Sequence, residues 1–477
     1  MAEQSLKDKT VRGVIWSSVE RFSVQGVNTL VMLVIARLLN PKDFGLVGML
    51  AIFLAVAQSL IDSGFSQALI RKQDRTETDN STVFYFNIVV SIIIYLILYA
   101  IAPLVSDFYN EPQLCNLMRV LCLIVIINSL SVVQRAIYTA LIDFKTLARA
   151  AFISAFLSGC FGIFLAWNGY GVWTLIWQQI SKALINTLLL WWYSSWYPKL
   201  YYSWRSFKEL FAFGSNLLLS GLLDTVYNNI YQIVIGKMYN ATNLGYYTQA
   251  NQISSLPSSN IHGMIGNVTY PVLSKIQDDD VRLADNYRKI LRFSAFIIFP
   301  LMCGLASVSY PLINLLLGEK WNECAMLLIP ISFSMMWYPV HAINLNLLKV
   351  KGRSDLFLKL EVIKKVLGVL VLLITLPFGL LTMCYGTIVS SLFALVINTY
   401  YTGILIRVDF FTQMKDLSGT ILISLTMFVI VFSITQIVDG YFSQLIIGLT
   451  IGSSYYLITS FLFKVEELNY IKLLLQR

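Results

Sequence analysis

Long apolar runs follow one another along almost the whole chain, separated by short polar segments. Each run is about 20 residues or longer, which is the length that a helix needs to cross a bilayer. Strands of a membrane barrel would instead alternate polar and apolar residues over about 10 positions. The pattern predicts an all-α membrane protein with fourteen transmembrane helices, at residues 11–38, 44–70, 82–105, 114–140, 147–167, 171–194, 209–235, 244–272, 290–316, 324–348, 355–376, 380–406, 417–437 and 441–463.

Composition supports the membrane assignment. Of the 477 residues, 57% are hydrophobic and 13% are charged, and the mean hydropathy is +0.68. A soluble domain carries about 25% charged residues. The first apolar run continues past Leu30, far beyond the core of a cleavable signal peptide, so we expect the first span to stay in the mature protein.

Basic residues alternate between the loops on the two sides of the predicted spans. With a cytoplasmic N-terminus, only four loop cations fall outside, namely Arg37, Lys42, Lys237 and Lys320. The positive-inside rule then predicts a multi-pass protein of the bacterial inner membrane with both termini in the cytoplasm. It also accounts for the net charge of +9 without a nucleic-acid partner.

Two segments 200 residues apart are similar to each other. VIARLLNPKDFG begins at Val34 and VIGKMYNATNLG begins at Val234, with identities that include Asn40/Asn240 and Gly45/Gly245. Each copy lies between the first and second apolar spans of its half, which indicates a parallel repeat of six helices. We therefore predict an N-lobe at residues 1–200 (helices 1–6) and a C-lobe at 201–410 (helices 7–12), followed by helices 13–14 and a cytoplasmic tail at 411–477.

The segments ARLLNPKDFGLVGM, DSGFSQALIRKQD, IGKMYNATNLGYYTQA and VKGRSDLFLKLE resemble the polysaccharide transporter family. These are the Wzx and WzxC-like flippases of the multidrug/oligosaccharidyl-lipid/polysaccharide exporter superfamily. The resemblance implies a fold like those of MATE and MurJ proteins. It also implies export of undecaprenyl-pyrophosphate-linked oligosaccharide by alternating access, for O-antigen, capsule or exopolysaccharide synthesis.

Three cations of the N-lobe lie well inside predicted spans, with Arg21 and Lys182 at mid-membrane and Arg135 in the inner third of the fourth span. A cation at the centre of a membrane helix costs about 2.5–3.5 kcal/mol, so each requires a partner, a cavity or an escape to the interface. We predict that they bind the pyrophosphate, which arginine can contact with two hydrogen bonds. The alternative is an internal salt bridge, such as Arg21 with Asp62 or Lys182 with Glu20.

Three further basic residues have simpler interpretations. Arg119 lies near the outer end of the fourth span, where its side chain can reach the interface. Lys364 and Lys365 follow Glu361 at helical contact spacing, which predicts a local ion pair.

Polar residues inside the spans are candidates for contact with sugar. Asp224, Asn228 and Gln232 are spaced by four and would share one helix face, either packing against other helices or lining a cavity. Candidate ion-coupling carboxylates are Asp224, Glu20 and Asp62. The remaining cavity candidates are Gln25, Asn28, Gln178, Gln179, Asn251 and Gln252.

The sequence lacks the residue patterns that metal binding, cofactor binding and covalent catalysis require. The six cysteines form no CxxC pair, and the two histidines lack metal-ligand spacing, so we predict no metal, no cofactor and no catalytic residues. The alternatives to a flippase are a MATE-like multidrug or cation antiporter, a membrane polysaccharide polymerase or ligase, and a passive channel.

The expected partners of a flippase are lipid-linked oligosaccharide, membrane lipids and other polysaccharide-assembly proteins, and we expect a monomer. The energy source stays open between an ion gradient and downstream use of the substrate.

Overall fold

Helices make up the regular structure of the described residues, with no strand among them. A computed structural model describes residue 16 and residues 22–62, 65–72 and 74–468. Helices are expected here because a spanning segment must satisfy its backbone hydrogen bonds internally in lipid. The chain divides into two compact units, of which the first ends at Gly245 and the second begins at Tyr246.

The first unit contains eleven described helices and the start of a twelfth. Most begin after short polar loops, as at Thr76, whose side chain accepts from the backbone N–H of Asp79 in a capping box. The helices are α1 (Phe22–Leu38), α2 (Pro41–Asp62), α3 (Phe65–Arg71), α4 (Glu77–Tyr109), α5 (Gln113–Leu121), α6 (Leu123–Ser129), α7 (Val132–Ala140), α8 (Phe144–Trp167), α9 (Val172–Tyr193), α10 (Trp204–Asn228), α11 (Ile230–Met238) and the first residues of α12 (Ala241–Ser274).

The second unit takes up the rest of α12 and eight further described helices. Short 3-10 turns, Glu319–Trp321 and Leu376–Phe378, precede two of them. The helices are α13 (Asp280–Ser307), α14 (Ser309–Leu316), α15 (Asn322–Met335), α16 (Tyr338–Val350), α17 (Ser354–Thr375), α18 (Leu380–Ile406), α19 (Phe410–Ile437) and α20 (Tyr441–Leu462).

Eight segments of the described chain are long and apolar enough to cross a membrane. They are α2 with α3, α4, α8, α13, the stretch Glu319–Val350, α18, α19 and α20. A ninth is added if the stretch Gln113–Ser129 and the following Val132–Ala140, bent by 42° against each other, form one span. Helices also occupy the other predicted positions, including Val172–Tyr193 and Ser354–Thr375. The polytopic helical class is confirmed, while the count of fourteen stays a prediction.

The boundary between the two units differs from the predicted lobe boundary at residue 200. Helices α10 and α11, which correspond to the seventh predicted span, pack against α2 and α4 of the first unit. Packing therefore groups them with the first unit, although the sequence repeat assigns them to the second copy. The predicted lobes rest on the similarity of the two sequence segments, and they remain a prediction.

The two copies of the repeat meet inside the first unit. A Cβ added to Gly45 would lie 1.6 Å from the carbonyl oxygen of Ala241, and one added to Gly245 would lie 1.9 Å from that of Pro41. The contact is reciprocal, since position 41 corresponds to 241 and position 45 to 245. Only glycine allows two backbones to approach this closely. The beginnings of α2 and α12 therefore cross at a pair of equivalent glycines.

Polar and ionic contacts tie the helices of the second unit together. The Arg288 guanidinium donates two hydrogen bonds of 2.6 Å to Asp416, which joins α13 to α19. The fully buried Gln413 amide donates to Thr402 at 3.0 Å and to Asn344 at 3.1 Å, which links α19, α18 and α16. All six cysteines are free thiols, and four of them are buried, as expected for small apolar residues.

Candidate functional site

A cavity of about 320 Å³ opens among the helices of the first unit. This volume lies in the range typical of small-molecule sites, about 300–1,000 Å³. Five helices supply its polar and apolar walls, from α1 to α9. The lining residues are Val24, Ile124, Asn128, Arg135, Ala151, Ser154, Gln179, Lys182, Ala183 and Asn186.

A break in the helical chain brings Arg135 into this wall. Helix α6 ends at Ser129 and α7 begins at Val132, without a proline to cause the bend. Side chains of α9 satisfy carbonyl groups at the break: the Trp191 indole donates to Leu130 at 2.9 Å. The Thr187 hydroxyl donates to Ile127 at 3.2 Å. An irregular turn at membrane depth is stable only when neighbouring protein groups satisfy its backbone in this way.

Lys182 reaches across the unit to the first helix. Its ammonium donates to the Asn28 Oδ1 at 3.0 Å. An ammonium carries three N–H donors, and this bond uses one of them. Asn128, also in the wall, donates from its amide to the Gln58 Oε1 at 2.9 Å. The carboxamides therefore hold the cavity's polar side chains in place without cancelling the charge of Lys182.

The cavity is electropositive. Among the ten described residues that line it, two are cations and none is a carboxylate. Arg135 is exposed and Lys182 is half-buried, so both charges lie where a ligand in the cavity can contact them. Three amide side chains, Asn128, Gln179 and Asn186, add donors and acceptors of the kind that bind hydroxyl groups. The arrangement suits an anionic group that is joined to a polar one.

The structure brings together part of the predicted site. Arg135, Lys182 and Gln179 line one cavity, and Asn28 contacts Lys182 directly. Sequence reasoning missed Asn128 and Asn186. A signal for Asn186 was available, because it follows Lys182 by four positions and shares its helix face.

Other candidates lie elsewhere in the first unit. Gln178 packs against α8, where a Cβ on Gly162 would lie 2.7 Å from its Cγ. Gln25 is half-buried on α1 and does not line the cavity. The expected stripe of Asp224, Asn228 and Gln232 is interrupted, because α10 ends at Asn228 and Gln232 lies on α11. Asp224 and Asn228 are exposed.

Some candidates cannot be placed at this cavity. Asn251 and Gln252 belong to the second unit, where Asn251 is half-buried and Gln252 is exposed. Glu20 and Arg21 lie outside the described residues. Asp62 ends α2, and its side chain is likewise outside the described part.

The remaining intramembrane cations have local partners. Lys364 forms the predicted ion pair with Glu361, which confirms that interpretation. For Arg119 the structure shows an aromatic neighbour, and the expectation that its side chain reaches the interface stays a prediction. Its guanidinium carbon lies 4.3 Å from the centroid of the Tyr99 ring, because α5 packs against α4 and offers an aromatic face nearby.

The chain is similar to curated proteins over most of its length. The teichuronic acid biosynthesis protein TuaB of Bacillus subtilis (strain 168) is 26% identical over 446 residues, which covers 92% of each protein. The lipopolysaccharide biosynthesis protein WzxC of Escherichia coli (strain K12) is 25% identical over 422 residues, covering 87% of this chain and 83% of its own. Their names refer to the biosynthesis of teichuronic acid and of lipopolysaccharide.

The fold is similar to that of a solved flippase. The lipid II flippase MurJ in an inward closed conformation superposes with a TM-score of 0.78 at 15% identity, covering 95% of this chain and 98% of that protein. This confirms the MurJ-like helical fold. A family model described as "Polysaccharide biosynthesis protein" matches residues 34–326, more than half of the chain. The resemblance read from the sequence motifs is thus confirmed, and the chain belongs to the polysaccharide biosynthesis protein family.

Proposed function

We propose that this protein is a flippase that exports pyrophosphate-linked oligosaccharide on a polyprenyl carrier across the bacterial inner membrane. The observation that carries the proposal is the cavity of the first unit, which presents Arg135 and Lys182 beside three carboxamides and no carboxylate among its described lining. The similarity to WzxC and TuaB and the MurJ-like fold support it. The protein moves its substrate and catalyses no covalent step.

Because the cavity is positively charged, it is suited to the pyrophosphate part of the substrate. A pyrophosphate must leave the aqueous headgroup region to change leaflet, which costs solvation free energy. Fixed cations offset this cost, and the Arg135 guanidinium can contact phosphate through two parallel hydrogen bonds. Arg21, placed at mid-membrane by the sequence, is a third candidate cation. The carboxamides of Asn128, Gln179 and Asn186 would contact sugar hydroxyls.

The same charge argues against the main alternative. A multidrug or cation antiporter requires acidic groups to bind its cationic ligands, whereas the described wall carries only positive charge. Alternating access between two lobes, at residues 1–200 and 201–410, would carry the headgroup across while the lipid tail stays in the bilayer. The reciprocal crossing at Gly45 and Gly245 supports the repeat on which this model depends.

The finer topology is part of the proposal. We place fourteen helices in the membrane, both termini in the cytoplasm, and residues 411–477 as an addition to the two lobes. The protein would act as a monomer with lipid-linked oligosaccharide as its substrate. The distribution of loop cations supports this orientation.

Export of surface polysaccharide tests the pyrophosphate site. Arg135→Ala and Lys182→Ala each remove one charged contact, which is worth about 1.5–3 kcal/mol for a hydrogen bond to a charged group. We expect export to fall roughly 10- to 150-fold, with protein levels unchanged. Lys182→Arg keeps the charge and should retain part of the activity.

A cation outside the cavity provides the matched control. Lys289 pairs with Asp285 at 2.6 Å near the start of α13, away from the membrane centre. Lys289→Ala should leave export intact. Full export in Arg21→Ala, Arg135→Ala and Lys182→Ala would show that these cations do not bind the pyrophosphate.

A further inference from the structure

A second set of polar and charged side chains lies inside the membrane-spanning part of the second unit, and the proposed site does not use it. His341 on α16 lies nine residues before Val350, where that helix ends, or about 14 Å along the axis. Ser391 and Asn398 on α18 contact its ring. Helix α17, which carries the Lys364–Glu361 ion pair, packs against α16.

The hydrogen bonds of His341 indicate a role for each ring nitrogen. The Asn398 amide nitrogen can only donate, and it lies 3.4 Å from His341 Nδ1, so this ring nitrogen is the acceptor. The proton therefore resides on Nε2, which is 3.0 Å from the Ser391 hydroxyl. The Ser391 hydroxyl in turn donates a hydrogen bond to the Ser334 carbonyl oxygen at 3.3 Å. This arrangement of hydrogen bonds is the one that a neutral imidazole forms.

Asn398 has a buried side-chain oxygen without a hydrogen-bond partner beside the His341 ring. Its side chain is 1% exposed, and its Oδ1 atom has no hydrogen-bond partner. A buried carbonyl oxygen without a donor is rare and costly. Rotation of the amide by half a turn would direct Oδ1 at Nδ1, which then must carry a proton. The orphaned oxygen is thus positioned to accept a hydrogen bond from an imidazolium ring.

The charges around His341 make its protonated state dependent on conformation. Lys364 on α17 is the charged group that acts on the ring, and its charge is paired with Glu361. The groups from α18 that face the ring, Ser391 and Asn398, are neutral. A proton on His341 would leave a net positive charge in the membrane interior, which is unfavourable unless water or an anion reaches it. The affinity of His341 for a proton would therefore be lower when the site is closed to water than when water reaches it.

We propose that His341, with Asn398, is a proton-binding site that couples movement of the substrate to the proton gradient. In each cycle one proton from water binds Nδ1 while Nε2–H keeps its bond to Ser391, and Asn398 turns to accept from Nδ1–H. The proton leaves on the other side when the ring returns to the neutral state. A ligand drives a conformational change only through different affinities for the two states, and a ring that is closed off in one state and reached by water in the other would have them. The inference rests on the proposed flippase function.

The test uses the full chain in liposomes with a fluorescent undecaprenyl-pyrophosphate-linked oligosaccharide. The distribution of the probe between leaflets is read by chemical quenching of the outer one, under an imposed gradient of one pH unit. For exchange of one proton, the equilibrium ratio of the probe should shift tenfold towards the acidic side. This ratio does not depend on the direction in which the protein is inserted.

Variants separate the proton site from flipping itself. His341→Gln keeps a donor for Ser391 and should move the probe to equal amounts in both leaflets at any gradient. Asn398→Asp retains the histidine but places a carboxylate against Nδ1, which should hold the ring cationic and also give a ratio of one. The protonation of the His341 ring can be measured by ¹⁵N NMR of labelled histidine. The chain has only two histidines, so His262→Gln leaves a single signal and serves as the matched control with the full tenfold shift.

The outcomes are distinguishable. A wild-type protein that does not move the probe at all overturns the proposed function. A wild-type protein that equilibrates the probe without regard to the gradient overturns the proton site and leaves the flippase intact. A tenfold shift that persists in His341→Gln also overturns it. A neutral ring in Asn398→Asp at pH 6 would contradict the role of the amide.

Discussion

The crossing of α2 and α12 can be tested by adding one methyl group. In Gly45→Ala the new Cβ would lie 1.6 Å from the carbonyl oxygen of Ala241, and in Gly245→Ala it would lie 1.9 Å from that of Pro41. Nonbonded heavy atoms pack at about 3.5 Å, so the two helices must separate by roughly 1.5–2 Å. Both neighbours are backbone atoms, and no side-chain rotation can relieve the contact.

The magnitude follows from the cost of overpacking, about 1–3 kcal/mol for one methyl group in a tight site. This cost falls on the state in which the helices cross. If the crossing opens during transport, the substitution shifts the equilibrium towards the open state by about 5- to 150-fold. The predicted orientation places this crossing near the outer surface, so we expect more frequent opening to the outside and weaker export.

The assay measures access from outside to a buried reporter. Leu46 is 1% exposed beside the crossing, so Leu46→Cys in a chain without its native cysteines should react slowly with an impermeant maleimide. Adding Gly45→Ala should raise the rate by about 5- to 150-fold. Gly419→Ala is the matched control, because its added Cβ has nothing within 4 Å. Equal rates in the two variants would refute a crossing that opens during transport.

Three further predictions concern topology and stability. Cysteines at Asn110 and Asn322, both exposed, should react with an impermeant reagent in intact cells, and reaction only after lysis would reverse the predicted orientation. Gln413→Leu should lower the free energy of unfolding by about 1–3 kcal/mol, since the amide's buried partners lose a hydrogen bond; an unchanged thermal midpoint would contradict this. The hydroxyl and amide of Thr412 donate to Asp409, which lowers the pKa of that carboxyl. Its contribution to stability is present above about pH 4 and is lost as the pH falls through the depressed native value, so thermal melts of Asp409→Asn should depend less on pH than those of wild type.

Local sequence patterns were sufficient to predict the class of fold and the contacts between residues close in the sequence. Apolar runs predicted the helices, because in lipid hydropathy and backbone hydrogen bonding act along the local chain. The pair of Lys364 with Glu361 followed from a spacing of three and is confirmed. The cations Arg135 and Lys182 stood out for the same local reason, as charges in apolar surroundings.

Which side chains line the cavity depended on partners distant in the sequence. Gln178 and Gln179 are neighbours about 100° apart around α9, and the two were equal candidates from the sequence. Packing places Gln178 against Gly162 and leaves Gln179 in the cavity wall. The bend after α6 likewise depends on Trp191, which lies 61 positions beyond the carbonyl that it satisfies.

The sequence by itself determined that the chain forms helices in a membrane, that two segments 200 residues apart are similar, and that cations lie among its apolar residues. Only the tertiary structure decided that Gly45 and Gly245 meet, that helices α10 and α11 pack with the first unit, and that Lys182 binds Asn28. The physical reason is the distance along the chain over which each interaction acts. Helix formation in lipid depends on each segment's own backbone and hydropathy, whereas the direction that a side chain faces depends on which helices pack beside it.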